Sequence, residues 1–228
     1  ARTLRMDRDT TSKKNSHEQI LESFGRGDAD ILIGTQMIVK GHDFSRVTLV
    51  GVLLADLTLF SGDYRAGERT FDLLTQAAGR AGRGDVPGKV VIQTYKPDNY
   101  AITAAASQDY RAFYDIEEAY RSLMRYPPEW NMMVIMGTGM DEEQLANIMD
   151  RMYSLIRGKY INAGHLSVIG PSEPAISKIK DVYRRVLYIK HRDYRMLVDV
   201  KDYVEEWLKE NGENDVSVFF DLNPVNMY

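Results

Sequence analysis

The residues with the clearest chemical potential lie in one string, Thr-Gln-Ala-Ala-Gly-Arg-Ala-Gly-Arg, at positions 75–83. In a helix, Gln76 and Arg80 are four residues apart and Arg80 and Arg83 are three apart, so an amide and two guanidinium groups would project from one face. Guanidinium forks match phosphate oxygens, and they can stabilise the charge that spreads over a phosphoryl group during its transfer. The alternative is an ordinary helix end, where arginines bond the last carbonyl groups and a glycine forms the cap.

A second string of short polar residues, positions 34–44, follows an apolar run that has the composition of a strand. Thr35 and Gln36 stand directly after that run. Because ligands of open α/β sheets bind beyond the carboxyl ends of the strands, both side chains are candidates for a ligand contact. The alternative is plain turn chemistry.

A third candidate is a basic strip near the C-terminus, in which cations outnumber the two nearby acids, Asp181 and Asp193. Tyrosines are interleaved with these cations, a combination that suits single-stranded DNA because backbone charge and base stacking act together. The alternative is a strand with an apolar core face and a solvated basic face. The cations are Lys178, Lys180, Arg184, Arg185, Lys190, Arg192 and Arg195.

Composition limits the classes of function. The formal net charge of -4 argues against a protein that coats nucleic acid through bulk positive charge, so any DNA contact must be local. The chain has no cysteine, which excludes disulfides and thiol nucleophiles. No run approaches the ~18 apolar residues of a membrane span, and the first residues do not resemble a signal peptide. We therefore expect a cytoplasmic protein that does not enter a membrane.

The first half of the chain alternates strand and helix patterns, which predicts an α/β fold with a parallel sheet. The apolar strand runs are of the kind that a sheet covers on both faces. One helix is expected to begin at Thr10, Thr11 or Ser12, and Gly25 and Gly27 should stop it. The other predicted elements are strands at 30–34, 47–54 and 90–95 and a helix at about 65–81.

Tandem prolines, Pro127 and Pro128, close a helical stretch at 100–125, because proline cannot continue a helix. The order beyond them is βαββαβ, the ferredoxin-like pattern. Asp141 and Glu142 are interpreted as the acidic first turn of a helix. We expect three parts: 1–99 as a parallel-sheet lobe, 100–128 as a helical linker and 129–228 as a ferredoxin-like domain.

The two strings at 35–43 and 76–83 resemble motifs V and VI of superfamily 2 helicases. The wider strings at 56–82 and 5–11, and the C-terminal half from Tyr126 to Pro224, resemble the PriA family of replication-restart DNA helicases, also called primosomal protein N′. The resemblance covers nearly the whole chain. It implies that 1–99 is part of the second RecA-like helicase lobe and that 129–228 is the C-terminal domain of the family.

The resemblance also implies roles for individual residues. Arg80 and Arg83 would reach the γ-phosphate of ATP from the second lobe, with Gln76 as polar support in the same cleft. Gly41 and Asp43 would lie at the edge of the nucleotide and couple it to DNA. The other residues assigned are Gly79 for the nucleotide and Thr35, Gln36, Arg184, Lys190 and Arg192 for DNA.

A further implication of the resemblance is an ATP-dependent helicase that unwinds DNA in the 3′ to 5′ direction at stalled forks and helps to assemble the primosome. Its expected partners are forked and single-stranded DNA, the single-stranded DNA-binding protein and primosome proteins. ATP and Mg²⁺ are the expected cofactors, and members of the family also hold zinc. We expect a monomer.

The sequence departs from a complete motor, because it has no P-loop: the string at 84–90 has the wrong spacing and ends in Val90. The cysteines of the family's zinc module are also absent. We therefore expect a part of a longer enzyme, whose first lobe binds most of the ATP and Mg²⁺, and we expect this part alone to be inactive. The alternatives are a non-catalytic DNA- or protein-binding adaptor with a helicase-like lobe, and a RecG-like fork-remodelling helicase.

Overall fold

In the computed structural model, the chain divides into two units, residues 1–116 and residues 117–228. The structure describes residues 1–11, 15–39, 44–82, 86–162, 164–211 and 215–227.

The sheets of the first unit are formed by two β-α-β motifs. Their elements are β1 (Thr3–Met6), α1 (Ser16–Arg26), β2 (Ile31–Gly34), β3 (Leu49–Val52), α2 (Ala66–Ala78) and β4 (Lys89–Ile92), with short 3-10 helices at Gln36–Val39 and Ala55–Leu57.

The strands of the first unit pair in parallel, as predicted, but in two separate two-stranded sheets, β1 with β2 and β3 with β4. The prediction that these strands are covered on both faces is wrong. Ile31, Ile33 and Leu49 are 45%, 55% and 59% exposed. The apolar runs therefore correctly indicated parallel strands, whereas the covering of their faces is a tertiary property that the runs do not encode.

The start of α1 corrects a second prediction. The hydroxyl groups of Thr10 and Thr11 donate to the carbonyl oxygen of Asp7, at 3.1 and 2.7 Å, and so they stabilise a turn after β1. The residue before the helix is Asn15, in a left-handed conformation, and Ser12 lies outside the described residues. The helix ends at Arg26, because Gly27 adopts φ of 89° and its amide closes the last turn. Gly25 lies inside the helix.

The helical stretch at 100–125 consists of two helices, α3 (Tyr100–Ser107) and α4 (Tyr110–Leu123), separated by Gln108 in a left-handed conformation. Phe113 of α4 stacks on Phe71 of α2 with ring centroids 4.4 Å apart. Part of the stretch predicted as a linker thus belongs to the core of the first unit, and the three domain boundaries stay a prediction. The buried residues of this core are Ala55, Phe71, Leu74, Ala101, Ile102, Ala104, Ala105 and Phe113.

The second unit confirms the ferredoxin-like prediction. Its four long strands pair antiparallel in the spatial order β9-β5-β8-β6, which is the 4-1-3-2 order of that fold. A two-residue strand, β7, pairs with β8 and was not predicted. The elements are β5 (Asn131–Gly139), α5 (Glu142–Tyr160), β6 (Ser167–Ser172), β7 (Lys178–Ile179), β8 (Val182–His191), α6 (Tyr194–Asn211) and β9 (Val216–Leu222).

Helices α5 and α6 pack on one face of this sheet, where the largest core of the protein lies. Met133 and Ile135 of β5 and Leu187 and Ile189 of β8 are fully buried with apolar residues of both helices. Asp141 caps α5 by accepting a hydrogen bond from the amide of Gln144 at 2.9 Å, which confirms the interpretation of that acidic pair. No helix within the described residues is long and apolar enough to cross a membrane.

Candidate functional site

Arg80 lies on a tight turn directly after α2. The helix ends at Ala78, and the next amides bond back over three residues, from Arg80 to the carbonyl of Ala77 at 3.1 Å and from Ala81 to that of Ala78 at 3.2 Å. The prediction of a helix that continues to about residue 81 is therefore wrong in its end point, because the regular helix ends at Ala78 and Arg80 lies beyond it. Gln76, in the last turn of α2, is exposed, and Arg80 is half-buried with its Nε atom inaccessible to solvent.

Two glycines hold the turn that carries Arg80. Gly82 has φ of 76°, a conformation that costs other residues free energy, and its amide donates to the carbonyl oxygen of Val47 at 3.1 Å. A Cβ atom on Gly82 would lie 2.6 Å from the amide nitrogen of Gly88. A Cβ atom on Gly88 would overlap the backbone of Ala81 and Gly82. Contacts with Val47, just before β3, and with Gly88, just before β4, thus hold the turn in place.

The donor set of this turn suits an anion. Residues 75–82 include an amide, a guanidinium group, five small residues of type Ala or Gly, and no carboxylate. Guanidinium forks and exposed amides bind phosphate oxygens, whereas the small residues allow close approach of a ligand or of another protein surface. The turn can therefore accept a polyphosphate without a like charge within the string.

Thr35 and Gln36 are exposed at the carboxyl end of β2, as predicted from the sequence. A Cβ atom on Gly34, just before them, would overlap the carbonyl oxygen of Met6 and lie 2.7 Å from Cγ2 of Ile38, so β1 and the 3-10 helix fix this corner. That 3-10 helix, Gln36–Val39, contacts α2.

The strings that contain Thr35 and Arg80 lie next to strands of different sheets and at opposite ends of those strands. Thr35 follows the carboxyl end of β2, but Arg80 lies before the amino end of β4, where the amide of Lys89 bonds the carbonyl of Thr48 at 2.8 Å. Contact between α2 and the 3-10 helix that begins at Gln36 links them instead. Arg83, Gly41 and Asp43 lie outside the described residues, and their assigned roles stay predictions.

The sequence patterns did not indicate Asp56, whose hydrogen bonds join the segments that follow β3 and β4. Asp56 is 3% exposed, and it accepts hydrogen bonds from the hydroxyl of Thr94 at 2.7 Å and the amide of Tyr95 at 3.0 Å. These bonds, first that from Thr94, lower the pKa of the Asp56 carboxyl below its ordinary value. Asp63, also buried, pairs with Arg69 of α2 at 2.9 Å. The only signal in the sequence was an aspartate after an apolar strand run.

Two of the seven cations of the predicted basic strip pair with carboxylates of their own unit. Lys178 pairs with Asp181 at 3.1 Å and Arg185 with Glu142 at 3.7 Å. Arg184 donates to the carbonyl oxygen of Ile176 at 3.1 Å. These side chains are therefore oriented by their own neighbours, and only part of the strip remains for an external ligand.

Lys190 differs most from its prediction. It is 5% exposed, its Nζ donates to the carbonyl oxygen of Met124 at 3.2 Å, and it lies 3.5 Å from the centroid of the Tyr126 ring. Burial, and secondarily the charge of Arg125, lower its pKa from 10.5 to about 8. An ammonium group in this position is not a surface contact. Arg192, two residues on, is exposed.

The described residues include no group of three or more His, Asp or Glu side chains placed to hold a metal ion.

Comparisons with known proteins agree with both halves of this description. Residues 2–85 match the model of the helicase conserved C-terminal domain, and residues 122–225 match that of the primosomal protein N C-terminal domain. Among solved structures, the de novo designed protein Foldit4 aligns with 41% of this chain and 97% of its own at a TM-score of 0.31 and 17% identity, too weak a likeness to support a conclusion.

Several curated relatives match along the whole chain. Replication restart protein PriA of Bacillus subtilis is 42% identical over 229 residues, which is 100% of this chain and 28% of that protein. The proteins of the same name from Synechocystis and Chlamydia trachomatis are 34% and 37% identical, over 99% and 100% of this chain and 26% and 30% of their own lengths. The chain thus spans under a third of these relatives, and it belongs to the PriA family of replication restart proteins, carrying the helicase conserved C-terminal domain and the primosomal protein N C-terminal domain.

Proposed function

We propose that the intact protein is an ATP-dependent DNA helicase that acts in the 3′ to 5′ direction in replication restart, and that this chain supplies the arginine half of its ATP site. The observation that carries the proposal is the clamped turn after α2. It holds Arg80 in a string that matches motif VI, within the stretch that matches the helicase conserved C-terminal domain.

An arginine of this kind must be held in place before the reaction if it is to stabilise charge that exists only in the transition state. The turn supplies this rigidity, because Val47 bonds the amide of Gly82 and Gly88 packs against the backbone beside it. We assign Arg83 the same role beside Arg80, and Gln76 and Gly79 to the neighbouring polar surface.

ATP with Mg²⁺ supplies the phosphoryl group whose hydrolysis drives unwinding. Since the sequence has no P-loop, most of the nucleotide contacts would come from a first RecA-like lobe, and Gly41 and Asp43 would lie at the edge of the nucleotide. The 228 residues alone are then expected to hydrolyse no ATP.

For DNA, we assign backbone contacts to Thr35 and Gln36, which are exposed at the corner after β2. Arg184 and Arg192 are assigned to DNA in the second unit, while the buried Lys190 would act through the charge that it adds beneath the surface. Partners proposed for the intact protein are the single-stranded DNA-binding protein and primosome proteins, since the relatives carry the name of replication restart proteins.

The test is Arg80→Ala in the intact enzyme. Loss of an arginine finger lowers turnover by about 10³-fold or more, so DNA-stimulated ATP hydrolysis should nearly disappear while DNA affinity stays within about twofold. Arg111→Ala is the matched control, because Arg111 is an exposed arginine of α4 that pairs with Asp115 and lies 5.7 Å from the centroid of the Tyr114 ring. Unchanged turnover in Arg80→Ala, or equal loss in both variants, would show that Arg80 is not part of the ATP site.

A further inference from the structure

Trp130 and Arg192 lie side by side at one end of the β5–β8 ladder. Asn131 pairs with His191 in the last register position, so the residues just outside the ladder, Trp130 and Arg192, are the next pair. The side-chain amide of Asn131 donates to the carbonyl oxygen of Arg192 at 2.7 Å and fixes this end. The guanidinium carbon of Arg192 lies 5.3 Å from the centroid of the Trp130 ring.

Arg125 reaches the same ring from the end of α4. Its guanidinium carbon is 5.0 Å from the Trp130 centroid. Since both distances end on one ring, the two guanidinium carbons are at most about 10 Å apart. Trp130 itself is 5% exposed, whereas both arginines are exposed, so the indole acts as a buried base for two cations at the surface.

The backbone of Arg125 has a conformation that favours glycine. Its φ is 58°, and the amide of Tyr126 bonds the carbonyl of Arg121 at 2.8 Å, the pattern of a helix that ends in a left-handed residue. Glycine is the usual residue at such a position because it has no Cβ atom to strain. An arginine at this position therefore carries a backbone cost that glycine would avoid.

The charges of this cluster are not balanced from within the protein. Among the residues that the structure describes, neither Arg125 nor Arg192 has an Asp or Glu oxygen within 4.0 Å. A third cation, Lys190, is buried close by, where its ammonium group contacts the carbonyl oxygen of Met124 and the ring of Tyr126. Three cations gathered without a carboxylate favour an external anion.

We propose that Arg125 and Arg192, on the platform of Trp130, form a phosphate-binding site for the backbone of single-stranded DNA. Lys190 is a positioning residue in this site, since it adds positive charge from below without reaching the surface. The inference rests on the proposed action of the intact protein on DNA, and it adds two residues, Arg125 and Trp130, that the sequence patterns did not indicate.

The arrangement favours phosphate over base recognition. Trp130 is buried, so its ring is not available for a base to stack on, and the exposed groups of the site are guanidinium forks. Such a fork can donate hydrogen bonds to two phosphodiester oxygens at once, and these contacts carry no information about base sequence. The site should therefore be indifferent to sequence and sensitive to salt.

The experiment measures binding of the 228-residue chain to a fluorescent 15-nucleotide oligothymidylate at several salt concentrations. Arg125→Gly should fold at least as well as the parent, because glycine relaxes the left-handed position. Its affinity should fall on the order of tenfold, and its dependence of log affinity on log salt should be shallower by about 0.7, the value of one single-strand phosphate contact. Arg192→Ala should show the same two changes.

Two controls separate this result from general loss of charge or change of backbone. Arg151→Ala removes an arginine that also lies over a tryptophan, at 4.9 Å from the ring of Trp207 on α6. Gln108→Gly relaxes another left-handed helix end, with φ of 55°. Neither variant should change the affinity by more than about twofold, and neither should make the salt dependence shallower by the roughly 0.7 expected for Arg125→Gly.

The proposal is wrong if the parent chain does not bind the oligonucleotide at low salt, or if Arg125→Gly and Arg192→Ala bind it as the parent does. It is also wrong if both variants keep DNA affinity but lose affinity for an acidic peptide, since the site would then serve a carboxylate partner. Arg80→Ala in the same chain should leave oligonucleotide binding unchanged, so failure of the ATP-site proposal and failure of this one give different results.

Discussion

At the scale of single residues, Lys190 shows how a cation in a basic pattern can be structural. The carbonyl of Met124 and the ring of Tyr126 hold its ammonium group, whereas burial, and secondarily the like charge of Arg125, penalise its protonated form. With a pKa of about 8, Lys190 in the folded protein has lost its proton at pH values between 8 and 10.5, where the same side chain in the unfolded chain still holds it.

The sign of the effect follows from proton linkage. Because the unfolded state binds more protons in that window, stability rises as pH increases from 8 to 10.5, and at neutral pH the charged Lys190 is a cost on the order of 2–3 kcal/mol. The free energy of unfolding of Lys190→Met minus that of the parent should therefore decrease by about this amount between pH 7.5 and 10.5. Urea unfolding at each pH measures it.

Lys209→Met, which removes an exposed lysine of α6, reports the effect of losing one surface charge and serves as the comparison. Groups that titrate in both proteins cancel in the difference. A constant difference between Lys190→Met and the parent across the pH range would mean that Lys190 is not desolvated in the folded protein.

At the scale of elements, the connection from α2 to β4 decides where Arg80 lies. The helix ends at Ala78, and beyond it Gly82, with φ of 76°, allows the chain to turn and to pack against Gly88. The arginine is thus placed by backbone contacts of its neighbours, with little help from its own side chain. Changes in those contacts should move it.

Gly88→Ala tests the backbone packing that holds this turn. The new Cβ atom would overlap backbone atoms of Ala81 and Gly82, which cannot move aside as a flexible side chain can, so we expect a loss of about 1–3 kcal/mol in the free energy of unfolding. Gly51→Ala, on β3, is the control, because a Cβ atom there meets nothing within 4 Å. Denaturant unfolding of both variants gives the comparison, and equal stability would refute the close packing of Gly82 on Gly88.

At the scale of the whole molecule, the chain has separate apolar cores. The core of the first unit uses α2, α3 and Phe113 of α4, and that of the second uses only residues from 133 onwards. The boundary between the units, at residues 116 and 117, falls within α4. Each core is therefore formed by one continuous segment of the chain.

We expect a polypeptide of residues 110–228 to fold alone, since it contains all of α4 and the complete 4-1-3-2 sheet with both of its helices. It should unfold cooperatively in urea, and Leu145→Ala, which empties part of the core, should lower its stability by about 2–5 kcal/mol. The exposed Leu123→Ala should change it little. A non-cooperative transition in the parent segment would contradict an independent fold.

Much of the fold was predictable, because local patterns carry it. Strand and helix periods indicated the α/β order, and the βαββαβ order led to the ferredoxin-like topology, which is one of few ways to bury two helices on one sheet. The start of α1 was mispredicted because Thr10 and Thr11 bond Asp7 in a turn, and side chains of this type serve turns and helix caps equally well.

The sequence by itself determined the family, the order of the elements and the strings that contain Arg80 and Thr35, since these depend on residue identity and spacing along the chain. Only the tertiary structure decided that Arg80 lies beyond the end of its helix, that Lys190 is buried, and that Arg125 and Arg192 both lie over the ring of Trp130. The reason is physical. Burial and charge accumulation depend on which distant segments pack together, and a pattern read along the chain records only neighbours within a few residues.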